Sequence, residues 1–298
     1  TMEQNKILMD NKTFLSDLTA TFNTFYASET LVEHLTQSIQ YSLNSGGKRI
    51  RPLFLLETLR GFGITNTTAH FKVAAAVELI HTSSLIHDDL PAMDDDDFRR
   101  GQATNHKVYG EAQAILAGDA LLLDPYLLLA ESGLPAQDIV ALVAELAYAS
   151  GSHGMVAGQV LDMDGEQHTL TFEALKQIHA LKTGRMLTFP FVAEGIIAHQ
   201  SSDVLVLLRA LGEKVGQAFQ IRDDILDVTA TFDQLGKTPG KDLTADKSTY
   251  VKLLGLSGAK AALAENLADA TQLLTEISDQ TQMTSDIILR QIERLRID

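Results

Sequence analysis

Six aspartates crowd into the ten residues from Asp88 to Asp97, and Arg99 and Arg100 follow at once. Much later Asp223, Asp224 and Asp227 repeat the theme at i, i+1 and i+4, which puts Asp223 and Asp227 on one face of a helix. Carboxylates massed this closely repel one another and persist where something cationic neutralises them; a hard, oxygen-preferring divalent ion suits the task. Mg2+ takes one or two carboxylates, keeps several waters and completes its shell with phosphate oxygens. For a single acidic triplet the plainer reading is a solvated face. That reading weakens here, because Phe219, Ile221, Ile225, Leu226 and Val228 wrap the second cluster and the apolar run Phe71 to Ile86 leads into the first.

The chain holds 24 Lys+Arg against 39 Asp+Glu, a net charge of −15, which disfavours nucleic acid as a partner. Within that acidic background Gly46-Gly47-Lys48-Arg49-Ile50-Arg51 and Arg99-Arg100-Gly101 stand out as cationic islands. Two acidic clusters and two basic islands meet one requirement: a diphosphate bound through metal bridges on one side and Lys/Arg on the other. The remaining candidates are ordinary by spacing alone. His81 lies seven residues before Asp88 on the same helix stripe, where a lone His is more often a core or surface residue. Lys182-Thr183-Gly184 lies in mid-helix, where a lysine is usually a surface group, and Lys237, Lys241 and Lys247 fall in a late loop.

Helical periodicity must position these groups. Apolar residues at Phe14, Leu15, Leu18, Phe22, Phe25, Leu31, Leu35, Ile39 and Leu43 step by threes and fours, with a break near Ala27-Ser28. Pro52 fits the first turn of a helix through Leu59, a loop follows over Gly61 to Thr68, and Phe71 to Asp89 presents the first cluster. Pro91 should distort the chain before Asp94. Further helices are expected from beyond Gly101 to Leu129, then over Ile139–Ala149, Leu175–Ala198, Val204–Thr229, Ala259–Ile277 and Met283–Leu295. Gly151 to Thr171 and Thr231 to Ser248 read as loops near a mouth. No alternating strand, internal repeat or dividing linker is evident, so residues 1–298 are expected to form one all-α domain. No long apolar window marks a membrane span, the N-terminal residues lack a secretory pattern, and cysteine is absent; the expected location is the cytoplasm.

The motifs now assembled resemble the trans-prenyl diphosphate synthases, in particular the bacterial farnesyl diphosphate synthase group. The resemblance spans the chain. It rests on Gly46 to Pro52, Glu78-Leu79-Ile80-His81, Asp88-Asp89-Leu90-Pro91-Ala92-Met93-Asp94 with Arg99-Arg100-Gly101, Gly158-Gln159, Lys182-Thr183-Gly184, and Phe219-Gln220 before Asp223-Asp224-Ile225-Leu226-Asp227. It implies an isoprenoid-synthase-type helical bundle around a deep central cavity, usually a homodimer. Carried over residue by residue, it gives Asp88, Asp89, Asp94, Asp223, Asp224 and Asp227 the task of holding Mg2+, or Mn2+, on an allylic diphosphate. Arg99, Lys182 and Lys237 would touch that diphosphate. Lys48, Arg51, Arg100 and His81, assisted by Arg49, would hold isopentenyl diphosphate, and Thr183 and Gln220 would stabilise positive charge beside the reacting carbons. The departing diphosphate is the family's usual base.

A class I terpene cyclase would carry an Asn/Ser/Glu-type motif where this chain has Asp223 to Asp227, and a noncatalytic partner subunit would usually carry a damaged motif; both rank below. One position departs from the resembling group. Five residues before Asp88, where farnesyl synthases commonly place an aromatic floor, stands Ser83, followed by Ser84. Five helical residues span about 7.5 Å, a sensible depth for a floor. Serine is too small to be one, so the expected product reaches twenty carbons as well as, or instead of, fifteen.

Overall fold

The computed structural model describes residues 2–27, 32–165, 170–229 and 248–297, with side chains from Lys12 onward. The described residues are almost wholly helical, as the periodicity requires, and gather into two compact units: Thr1–Leu56 with Asn66–Ile139, and Glu57–Thr65 with Val140–Asp298.

In the first unit α1 (Met2–Phe25), α2 (Glu33–Leu43) and the start of α3 (Ile50–Gly61) precede α4 (Thr68–Asp88). α4 is apolar on nearly every side, with Val73 to Val77, Leu79 and Ile80 all fully buried, as befits a helix at the centre of a core. It opens with the Thr67 N–H donated to His70 Nδ1 at 3.1 Å and stops three residues short of Pro91. Its main neighbour is α6 (Glu111–Ala130). The two helices meet closely at Gly118, where a Cβ would fall 2.0 Å from His87 Nε2.

The helix expected directly beyond Gly101 starts later. Phe98–Arg99 (β1) and Gln102–Ala103 (β2) first pair antiparallel around Arg100-Gly101, whose φ angles of 54° and 77° suit a two-residue hairpin turn. α5 (Asn105–Tyr109) and Gly110 then intervene. Two-residue strands are too short to show an alternating pattern. By length and composition α6 could cross a membrane, as could Ala136–Gly165, so the expectation that no such window exists needs qualification. α6, however, buries Ala114, Ala117, Leu121 and Leu128, and Ala136–Gly165 is broken at Gly151–Gly154.

The second unit holds the rest of α7 (Ala136–Ser150), then α8 (Met155–Gly165), α9 (Phe172–His179), a π-helical turn (Ala180–Gly184), α10 (Arg185–Ile197), α11 (Ser202–Thr229), α12 (Tyr250–Thr281, kinked at Gly255) and α13 (Asp286–Glu293). α8 corrects the loop expected over Gly151 to Thr171 across Met155–Gly165; Gly151–Gly154 is a turn, and residues 166–169 lie outside the described ones. The α8 glycine marks close packing, not a turn, because a Cβ on Gly158 would fall 2.1 Å from the Lys182 backbone nitrogen. The same device recurs on α11, where Gly212 and Gly216, one turn apart, lie against Thr188 Cα and Gly184 Cα. The helix expected over Leu175–Ala198 is continuous but interrupted by the π turn.

One core group of this unit is out of place. Glu194 on α10 is fully buried and neither carboxylate oxygen has a hydrogen-bond partner among the described residues. Burial pushes its pKa well above the ordinary carboxylate range; the Thr58 hydroxyl is close enough to oppose this without making an acceptable hydrogen bond. The folded chain therefore keeps a proton that the unfolded chain releases, and stability falls as pH rises above the unfolded pKa until the folded group ionises. Glu194→Gln, which cannot ionise, should raise the melting temperature over wild type by a margin that widens between about pH 5 and pH 8. The ceiling for one proton is ~1.4 kcal/mol per pH unit. A margin independent of pH would contradict this account.

Candidate active site

In the first unit the basic islands converge on α4. Gly46, Gly47 and Arg49 all have positive φ, and this bend brings Arg49 Nη1 to within 2.7 Å of Glu78 Oε1 while its other nitrogen donates to the Leu43 carbonyl. Arg100 donates to the Gly46 carbonyl and lies flat on Gly47, where a Cβ would meet the guanidinium carbon at 2.7 Å. Arg51 follows on α3; its Nε is buried without a partner among the described residues. Burial lowers its pKa to about 10, with Glu78 pulling the other way and Arg100 adding to the depression. His81, on α4, is driven far below its ordinary pKa by burial first and then by Arg51, Arg100, Arg99 and Arg49. The four guanidinium groups all act on it in the same direction. Lys48 stays exposed beside them. An arrangement that crowds guanidinium groups to this degree is built to receive an anion.

The first aspartate cluster caps α4. Asp88 is half-buried and Asp94 exposed, and the chain between them folds back so that the Asp94 N–H donates to the Asp88 carbonyl at 2.9 Å, the distortion expected after Pro91. Asp89 is buried, and Arg99 takes both its oxygens, with Nε at 2.7 and 3.0 Å and Nη2 at 2.6 Å. Burial raises the Asp89 pKa while Arg99 opposes it. The loop is fixed from α5's side by Thr104, whose hydroxyl donates to the Asp96 carbonyl at 2.7 Å, and by Asn105, bonded to Ser38 and Ser42 of α2. The two serines of the expected floor turn their hydroxyls to backbone: Ser83 to the Gly118 carbonyl at 2.8 Å, fully buried, and Ser84 to the His81 carbonyl at 2.8 Å.

In the second unit Lys182 lies on the π turn and its ammonium pairs with Asp162 of α8 at 2.6 Å. A π turn widens the helix and often marks a functional segment. Thr183 follows, half-buried. Just before the turn His179 stacks on Tyr250, ring centroids 5.6 Å apart; burial lowers its pKa to about 4, with Asp162 opposing and Lys182 assisting. Because Gly216 packs on Gly184, the stripe continuing along α11 is Gln220, Asp223, Asp224 and Asp227, all on that face. Asp223 is half-buried. Asp224 is buried and its Oδ2 accepts the Tyr250 N–H at 2.8 Å. Asp227 is 3% exposed, and neither oxygen has a partner among the described residues. A buried carboxylate without a partner calls for a cation, so this donor fits a divalent metal. Among the described residues no three His, Asp or Glu side chains form a ready cage, so such an ion would take further oxygens from water or ligand. Lys237 lies outside the described residues.

Sequence reasoning missed several groups that hold these side chains. Glu78 belonged to a quoted motif without a role, and Asp162, Thr104, Asn105 and Tyr250 carried no signal in spacing or type.

The polyprenyl synthetase family model matches residues 32–286. The farnesyl diphosphate synthase of Micrococcus luteus is 47% identical over 282 residues, covering 93% of this chain and 95% of that one. A chloroplastic geranylgeranyl pyrophosphate synthase of Catharanthus roseus is 44% identical over 247 residues, 82% of this chain and 69% of its own. The crystal structure of a Helicobacter pylori geranyltransferase complexed with magnesium and isoprenyl diphosphate superposes with a TM-score of 0.84 at 29% identity, covering 95% and 96% of the two chains. The all-α fold expected from the resemblance is therefore the observed one. Agreement of this length and identity settles the family: the chain belongs to the polyprenyl synthetases and is a trans-prenyl diphosphate synthase, a prenyltransferase.

Proposed function

We propose that the chain extends allylic diphosphates to geranylgeranyl diphosphate, alongside or beyond farnesyl diphosphate, in a Mg2+-dependent (or Mn2+-dependent) reaction. The observation that carries the site assignment is the gathering of Arg49 on Glu78 at 2.7 Å, Arg100 on the Gly46 carbonyl and a buried Arg51 Nε without a partner among the described residues, a setting in which a diphosphate supplies the missing negative charge. Lys48, Arg51, Arg100 and His81 hold isopentenyl diphosphate. Arg49, tied to Glu78, sets the bend that carries Lys48 and Arg51. Arg99, Lys182 and Lys237 hold the allylic diphosphate.

Asp88 and Asp94, with Asp89 in support, and Asp223 and Asp227, with Asp224 in support, would hold Mg2+, which when bound would supply positive charge to the leaving diphosphate. Asp89 reaches a cation only by releasing Arg99; until then its part is to hold that guanidinium. The allylic carbon–oxygen bond breaks, the isopentenyl double bond attacks the cation, and a proton passes to the departing diphosphate. Thr183 and Gln220 direct their dipoles at the developing charge without a charge of their own.

Residues 1–298 are proposed to work as one catalytic domain, a reading supported by a family match over residues 32–286, and to do so in the cytoplasm. The chain is proposed to act as a homodimer. α6 is apolar on both sides: one face is buried on α4, while Leu116, Leu123 and Leu127 of the other are 57%, 68% and 49% exposed. A second copy covers that face most simply.

Twenty-carbon product is proposed because Ser83 leaves no aromatic barrier at the floor position, and a geranylgeranyl synthase is among the relatives. The purified protein, expected to sediment as a dimer, would be given isopentenyl diphosphate with dimethylallyl, geranyl or farnesyl diphosphate and its products chromatographed. Twenty carbons are expected, and Ser83→Tyr should shift the product toward fifteen. A wild-type enzyme that stops at fifteen with every primer would refute the floor argument.

Arg51→Ala and Lys48→Ala should each raise KM for isopentenyl diphosphate roughly ten- to hundredfold, the loss expected of a charge-assisted contact, while sparing KM for the allylic substrate. Equal effects on both substrates would put the island at the other subsite.

A further inference from the structure

Tyr250 is 1% exposed and has no part in the assignments above, yet four contacts of the second unit meet on it. Its backbone N–H donates to Asp224 Oδ2 at 2.8 Å, and its hydroxyl accepts from Gln217 Nε2 at 2.9 Å. Gln217 and Asp224 are two turns apart on α11, so one residue spans the helix stretch that carries Gln220 and Asp223. Its ring stacks on His179 at 5.6 Å and 21°, and meets Phe172 edge-on at 5.2 Å and 83°. His179 directly precedes the π turn with Lys182 and Thr183.

The local reason lies in the start of α12. The first N–H groups of a helix have no partner within it, and the helix dipole favours a carboxylate there. Thr249 caps the helix by accepting from the Lys252 N–H at 3.1 Å, which leaves the Tyr250 N–H for Asp224. Asp224 is thereby fixed by the chain itself, in the middle of the acidic cluster.

We infer that Tyr250 is a positioning residue that locks the Asp223–Asp227 stretch of α11 to the Lys182–Gly184 turn, so that the carboxylates and the lysine meet one allylic diphosphate in a fixed arrangement. This rests on the diphosphate reading given above. The ring does the coupling, through His179; the hydroxyl trims it, through Gln217. Gly216 on Gly184 sets how near the two elements come, and Tyr250 sets how they are turned.

The test compares Tyr250→Phe, Tyr250→Leu, His179→Leu and the double variant Tyr250→Leu/His179→Leu, each shown folded by circular dichroism at the assay temperature. Tyr250→Leu should raise the half-saturating Mg2+ concentration and the allylic KM about three- to tenfold while KM for isopentenyl diphosphate stays unchanged. Tyr250→Phe, which keeps the ring, should stay within about twofold of wild type. The double variant should be no worse than Tyr250→Leu alone, because both break one contact. Calorimetric titration with inorganic pyrophosphate, with and without Mg2+, repeats the comparison without turnover. Loss of the Mg2+-dependent pyrophosphate affinity in Tyr250→Leu supports the inference even if the wild type proves inactive as a prenyltransferase. A Tyr250→Leu protein with wild-type Mg2+, allylic and pyrophosphate constants would show a core filler only. A uniform rise in every constant, that for isopentenyl diphosphate included, would show general loosening and overturn it equally.

Discussion

Like charges crowded beyond the counter-ions that the chain itself supplies are the constraint on which this structure depends. Arg49, Arg51, Arg99 and Arg100 press on one imidazole, and Glu78 is the buried carboxylate that contacts Arg49 and offsets Arg51 and Arg100. On α11 Asp227 is buried with both oxygens unpaired among the described residues. At Arg51 and Asp227 this costs stability in the empty protein, since a buried charge lacking a partner stays unfavourable by roughly several kcal/mol even after relaxation. Such a cost persists where a ligand removes it, and a diphosphate with divalent cations is complementary to both groups. The catalytic requirement is the same: charge that the ligand-free site leaves unbalanced is available to stabilise a departing diphosphate.

Backbone makes room for this arrangement. Gly47 lets Arg100 lie flat against the chain, Gly118 admits His87, and Gly158 and Gly216 bring α8 and α11 onto the π turn from which Lys182 and Thr183 project. In each case a methyl group would stand closer than 3 Å to a heavy atom of the neighbour. At Gly118, Gly158 and Gly216 such crossings fix side chains on rigid helices, where a loop would leave them free to relax away from one another.

Much of this was legible in the amino-acid order, and the rest was hidden for definable reasons. Asp88 to Asp97, Asp223 to Asp227 and the two basic islands declare themselves by charge density, and α1, α4, α11 and α12 by apolar spacing. α8 looks like a loop in the sequence because packing glycines resemble turn glycines in one dimension; only the nearness of Lys182 to Gly158 distinguishes them. The hairpin around Arg100-Gly101 is two residues deep, too short for a period, and the π turn preserves the helical pattern while shifting it by one residue. Glu78, Asp162, Asn105 and Tyr250 do their work through partners distant in sequence, so residue type alone could not single them out. Ser83 shows the reverse: its identity was read at once, whereas its hydroxyl bond to the Gly118 carbonyl of α6 required the fold.

If unbalanced charge is the organising feature, the protein's thermal stability should respond to the two ligand components together. The melting temperature would be measured with Mg2+ alone, with inorganic pyrophosphate alone and with both. Mg2+ alone should do little and pyrophosphate alone should stabilise modestly through the arginines. The pair at about a hundred times its dissociation constant should add about 2.7 kcal/mol. For a chain of this size that is a rise of roughly 5–10 °C, beyond the sum of the separate effects. A combined shift no larger than that sum, or no shift at all, would contradict the claim that these charges are held in wait for a metal-bridged diphosphate.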